Sequence, residues 1–218
     1  MTEPLDMTLD ELRAALGPLL PGEAAFDGWS EEAAGAAARA LGIPADRARL
    51  AFPDGAVGMI DAWFGSIDRA MAEALPPETL AAMKIRVRIT ALVRARLEAA
   101  APHREALRRA LAILALPTNA ATGAKLGWRA ADAMWRLAGD DATGLAHYTK
   151  RLTLAAVYGS TMLVFLDDES DGFSDTYAFL DRRIENVMQF EKFKARLKPD
   201  PDRHFSPARF LGRLRYPA

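Results

Sequence analysis

Apolar residues recur through this chain at the spacing of a helix face, and β-branched residues are too scattered to alternate over the length of a strand. Met59, Ile60, Trp63, Phe64, Ile67 and Met71 are typical, falling three and four residues apart. The punctuation is helical too. Ser30 stands where an N-cap would, with Glu31 and Glu32 in the first turn, and Gly42 follows Leu41 as a stop. Pro44 suits the first position of the next, short helix. The pattern predicts an all-α fold and leaves no segment for a sheet.

Helices are expected over Glu31–Leu41, to near Phe52, after the turn Pro53-Asp54-Gly55, and, beyond the break at Pro76-Pro77, over Glu78–Ala100. Others follow over His103–Leu116, Ala120–Ala138, Leu145–Leu166 and Ser174–Leu197. With 218 residues, half of them hydrophobic, one sizeable core accounts for the chain. It divides into a helix-turn-helix region (1–75), a helical region of the same domain (76–197), and a Pro-interrupted tail (198–218).

Glu31–Leu41, the turn Gly42-Ile43-Pro44 and the short helix after it have helix-turn-helix spacing. A DNA reader would place that second helix in the major groove with Arg, Lys, Asn or Gln on base edges. Here it offers only Arg47 and Arg49, beside Asp46. Residues 1–80 carry fourteen acids and five bases, a balance of −9, whereas the rest carries fifteen acids and twenty-three bases. A polyanion meets repulsion at the helix-turn-helix, so this region reads as a degenerate scaffold and no nucleic-acid partner is expected.

Catalytic classes drop out for want of parts. Zero Cys excludes disulfides, thiolate nucleophiles and Cys-based zinc sites. His103, His147 and His204 lie far apart, and none stands three residues after a Glu, as a ferritin-like iron ligand would. Nucleotide-binding, zinc-protease and nucleophile-elbow motifs are missing. No metal, no cofactor and no catalytic residue is expected. The acidic run Asp167-Asp168-Glu169-Asp171 reads as a solvated loop between helices.

Several ordered motifs then carry a resemblance. They are Ala112-Ile113-Leu114-Ala115-Leu116-Pro117-Thr118-Asn119, Ala131-Asp132-Ala133-Met134-Trp135, Leu137-Ala138-Gly139-Asp140, and Tyr148-Thr149-Lys150-Arg151 running on to Tyr158. Asp167-Asp168-Glu169-Ser170, Asp175-Thr176 and Phe179-Leu180-Asp181-Arg182-Arg183 continue the series. Over most of residues 8–197 the chain resembles the lipid-binding accessory proteins of coenzyme Q (ubiquinone) biosynthesis. The resemblance implies a homodimeric TetR-like helical bundle whose cavity holds a lipid or isoprenoid quinone precursor. It also implies a partner, the di-iron demethoxyubiquinone hydroxylase, which performs the chemistry while this protein presents the substrate. The rival reading is a TetR-type transcriptional regulator with a small apolar effector.

A prenyl tail needs a long apolar tunnel, for which Ile85, Ile89, Leu92, Leu111, Leu114, Leu154, Val157, Met162 and Phe165 are the candidate walls. These positions either line such a tunnel or fill an ordinary core, since helical period points inward in both cases. Trp135, with Asp132 and Arg136 beside it, is either a packed amphipathic ring or an exposed anchor. The resemblance maps the Asp132–Trp135 pair onto the surface that meets the hydroxylase.

The longest uncharged apolar stretch, Leu152–Leu166, falls short of the ~20 residues of a spanning helix and suits a core or a subunit interface. The tail instead interleaves Arg209 and Arg213 with Phe210, Leu211 and Leu214, a pattern able to lie in an anionic headgroup layer. The beginning Met1-Thr2-Glu3-Pro4 lacks the basic and apolar regions of a secretory leader. The expected location is therefore cytoplasmic, at the periphery of the inner face of the membrane.

Overall fold

The computed structural model describes residues 6–197 and builds them from helices joined by short turns, with no strand among the described residues. Two helices that periodicity alone did not single out come first, α1 (Leu9–Leu16) and α2 (Leu20–Asp27). The signal for α1 is a capping box: the Glu11 amide donates to the Thr8 hydroxyl, and the Thr8 amide donates back to the Glu11 carboxylate at 2.8 Å. Leu12 and Leu16 of α1 and Leu20 of α2 are fully buried. The end of α1 passes so close to α5 (Ala56–Ala74) that a Cβ on Gly17 would lie 2.6 Å from the Ala62 carbonyl oxygen, hence the glycine.

The helix-turn-helix is present as α3 (Glu31–Ala40) and α4 (Ala45–Ala51), with Ser30 capping α3 and Gly42 turning the chain at φ 68°. Pro44 is the N-cap of α4 rather than its first helical residue, because its extended ψ of 138° still belongs to the turn. The Ala-rich face of α3 is buried, its small side chains allowing α2 and α4 to pack closely. Arg47 donates to the Met7 carbonyl and Arg49 pairs with Glu31 at 2.9 Å, so both cations of α4 are turned on their own chain. The stripe on α5 is core: Met59, Ile60, Trp63, Ile67 and Met71 are buried, and Phe64 is half-buried.

The helix expected over Glu78–Ala100 is in fact two, α6 (Pro77–Ala81) and α7 (Ile85–Ala100). Arg88 explains why the break is stable. Its guanidinium donates to the Ala81 and Met83 carbonyls, which the break frees, and to Ala138 on another helix at 2.8 Å. A 3-10 turn at Ala101–His103 leads into α8 (Arg104–Leu114), followed by α9 (Ala120–Leu137), α10 (Gly144–Asp167) and α11 (Ser174–Leu197). One continuous core joins all of this, from Leu12 to Ile184. Trp29 stacks 5.4 Å from Trp63 and donates its indole N–H to the Ala106 carbonyl, linking the N-terminal helices to α8.

The α10–α11 corner corrects the reading of the acidic run. Asp167, Glu169 and Asp171 are exposed, but Asp168 is buried and accepts four hydrogen bonds, from the amides and hydroxyls of Ser170 and Thr176. Burial alone would raise its pKa; the donors outweigh burial and hold the carboxyl far below the ordinary carboxylate value. Arg104 and Arg108 both donate to the Leu166 carbonyl at the end of α10. Because the folded-state pKa is depressed, the contribution of Asp168 is complete above its unfolded value of 3.8 and is lost as pH falls below it. Asp168→Asn is expected to lower Tm at pH 7 by roughly 6–12 °C, from a loss of about 3 kcal/mol. The gap between variant and parent should narrow as the pH of the melts is taken from 5 towards 2.

Candidate functional site

A hollow of about 810 Å³ lies beside the main core, between α7, the end of α9, α10 and α11. That volume is within the range of small-molecule sites, roughly 300–1,000 Å³. Its walls follow from helical register. Ile85 and Ile89 face it from α7, Leu154 and Val157 from α10, and Ile184, Val187 and Met188 from α11. Ile89, Leu154, Val157 and Ile184 are buried and form the deep end, whereas Asp141, Leu145 and Ala146 are exposed and form the mouth.

The structure thus gathers Ile85, Ile89, Leu154 and Val157, four of the nine candidate wall residues, around one hollow. The other five lie elsewhere: Leu92, Leu114 and Phe165 are buried in the main core, and Leu111 and Met162 pack half-buried against it. Phe165 stacks on Phe173 at 4.8 Å, at the base of the α10–α11 corner. The wall that sequence reasoning missed is α11. Its signal was present in Ile184, Val187 and Met188, spaced three and four residues apart.

The mouth is organised by ions. Gly139, at φ 81°, ends α9 with the Gly139 amide on Arg136 and the Asp140 amide on the Trp135 carbonyl. The turn drives the Asp140 side chain inward, where only 3 % of it is exposed. There it meets Lys150 at 2.5 Å and Arg151 at 3.2 Å. Arg151, itself 3 % exposed, reaches back to Asp132 on α9 at 2.6 Å, and Arg136 adds a second contact to Asp132 at 2.8 Å. Burial opposes the charge on Asp140, but hydrogen bonds and the adjacent Lys150 and Arg151 hold its carboxyl below the usual value.

Trp135 is half-buried and lines the hollow, with its indole N–H on the Lys150 carbonyl at 3.0 Å and the Lys150 ammonium 5.2 Å from its ring centre. Asp132 and Arg136, expected beside it at a protein contact, belong to the Arg151 network, with Arg136 exposed. Two helical turns back along α9, Trp128 lies 5.9 Å from the exposed Tyr148 of α10, an aromatic surface that periodicity did not reveal. Arg209, Phe210, Leu211, Arg213 and Leu214 lie outside the described residues. No helix among those described is long and apolar enough to cross a membrane. Among the same residues, no three His, Asp or Glu side chains are grouped to hold a metal.

Three of the four helices that make this site, α9, α10 and α11, lie in a segment shared with known proteins. The COQ9 family model matches residues 120–191, from α9 through most of α11. Over those helices the chain is similar to the COQ9 proteins. The human mitochondrial ubiquinone biosynthesis protein COQ9 is 33% identical over 167 residues, which cover 74% of this chain and 52% of the human protein. COQ9 of Xenopus tropicalis is 32% identical over 168 residues, covering 74% of this chain and 53% of that protein. COQ9-B of Xenopus laevis reaches 43% over 96 residues, 44% of this chain and 33% of that protein. The chain spans about half the length of the longer-matching relatives. Among solved structures, the TetR transcriptional regulator from Nitrosomonas europaea superposes with a TM-score of 0.65 at 23% identity, covering 83% of this chain and 99% of that one. The fold is accordingly all-α and TetR-like.

Arg151 is the test of the mouth. Arg151→Ala leaves Asp132 and Asp140 short of their buried partner, and a loss of about 3–5 kcal/mol in denaturant unfolding is expected. Arg136→Ala, which removes an exposed partner of the same Asp132, should cost under about 1 kcal/mol.

Proposed function

We propose that this protein serves ubiquinone biosynthesis as a non-catalytic lipid-binding accessory, sheltering an isoprenoid quinone precursor in the hollow between α7, α10 and α11. The observation that carries the reading is that most of the lining of that apolar-walled hollow, from Trp135 to Met188, falls within the segment matched by the COQ9 family model, with Ile85, Arg86 and Ile89 of α7 added from outside it. The relatives are named as mitochondrial ubiquinone biosynthesis proteins, and the guest proposed here is a molecule of that pathway.

The remaining parts of the proposal follow the sequence resemblance. The demethoxyubiquinone hydroxylase docks where Asp132, Trp135 and Arg136 meet solvent, next to the Trp128–Tyr148 surface. A second copy pairs along α10 and α11, whose Leu152, Leu163, Phe190 and Phe193 are exposed and apolar. The tail holds the protein peripherally at an anionic membrane surface through Arg209, Phe210, Leu211, Arg213 and Leu214. DNA binding is disfavoured by the pairing of Arg49 with Glu31 and by the acidity of residues 1–80, although the fold is that of a regulator.

Native mass spectrometry of the purified protein, with extraction of bound lipid, is expected to return a prenylated quinone or phenol. Val157→Trp, which fills the deep end, should abolish that mass while helicity by circular dichroism is retained; a folded parent with no affinity for any prenyl or alkyl quinone rejects the reading. Deleting residues 206–218 should reduce sedimentation with phosphatidylglycerol vesicles, and equal sedimentation with and without them rejects the tail's role.

A further inference from the structure

We infer that the mouth of the hollow selects an uncharged, oxygen-bearing head group over a phosphate, through the Thr153 hydroxyl and the Lys150 ammonium. The inference rests on the lipid-binding reading above and says which end of the guest sits where.

The hollow is amphipathic along α10. Val157 and Leu154 are at its deep end, and Thr153, Lys150 and Thr149 come next towards the mouth, at about 1.5 Å of rise per residue. A guest with a greasy chain and a polar end therefore enters chain first, with its head between Trp135 and Thr153. Thr153 is the unusual member. Thr149 and Thr161 of the same helix return their hydroxyls to the carbonyls of Leu145 and Val157, the ordinary arrangement for a helical threonine. Thr153 faces the hollow and has no such partner among the described residues. Lys150 uses its ammonium on Asp140 and has further N–H donors available. A carbonyl or phenol oxygen would satisfy both groups.

A phosphate fits less well. The two cations of the lining already have carboxylates, Arg86 on Glu185 and Lys150 on Asp140. Asp141 adds an exposed carboxylate at the rim. An anionic head would have to displace one of these pairs and approach Asp141, whereas a neutral head meets no such penalty. The Trp135 ring supplies an apolar face against which a planar ring can lie.

The test uses the full chain and three probes with one decyl chain each: a dimethoxybenzoquinone, a phosphate monoester and a plain benzene. The parent protein should bind the quinone at least about tenfold more tightly than the phosphate. Thr153→Val should weaken the quinone about five- to tenfold and leave decylbenzene unchanged, with Thr153→Ser restoring the quinone. Asp141→Lys, at an exposed position of the rim, should strengthen phosphate binding and so narrow the preference for the quinone. Equal quinone binding by Thr153→Val and parent overturns the inference, as does a parent that prefers the phosphate. If none of the three probes binds the folded parent, the lipid-binding reading falls first and this inference with it.

Discussion

A single guanidinium, that of Arg151, holds together the part of the molecule that matters most. It lies almost wholly out of solvent between Asp132 of α9 and Asp140 of the following turn. An unpaired ion at that depth would cost several kcal/mol, so the two carboxylates must stay where they are, and with them the end of α9 and the start of α10. Trp135 and Lys150 belong to the same arrangement through the indole hydrogen bond and the Lys150–Asp140 pair. The mouth of the hollow is thus a by-product of charge neutralisation: the residues that border it are positioned by ions that cannot separate cheaply.

The α10–α11 corner solves a similar problem with neutral donors. Asp168 gathers two amides and two hydroxyls, and Arg104 and Arg108 satisfy the Leu166 carbonyl, so the long helices meet without stranded polar groups. This fixes the direction in which α11 returns along α7 and α10, and so decides that Ile184, Val187 and Met188 become a wall.

Much of the fold was legible because helical period and capping are local. Ser30, Gly42 and Pro53-Asp54-Gly55 marked true boundaries, and the Met59–Met71 stripe was core. Legibility failed where a contact distant in sequence decides the outcome. The break after Ala81 depends on Arg88 and on the end of α9, and the burial of Asp168 depends on Thr176 eight residues on. The hollow was the hardest to read. Periodicity says that Leu92, Phe165 and Ile89 all point inward, but not that the first two meet other helices while the third meets a gap between them. That distinction is a matter of how far apart α7, α10 and α11 sit.

The indole of Trp29 reaches across seventy-seven positions of sequence to the backbone of α8 and stacks on Trp63 along the way. The helix-turn-helix half and the half that holds the hollow therefore share one cooperative unit. Neither is a detachable module. The helix-turn-helix pair cannot be dispensed with, because the helices around the hollow would lose one side of their shared core without it.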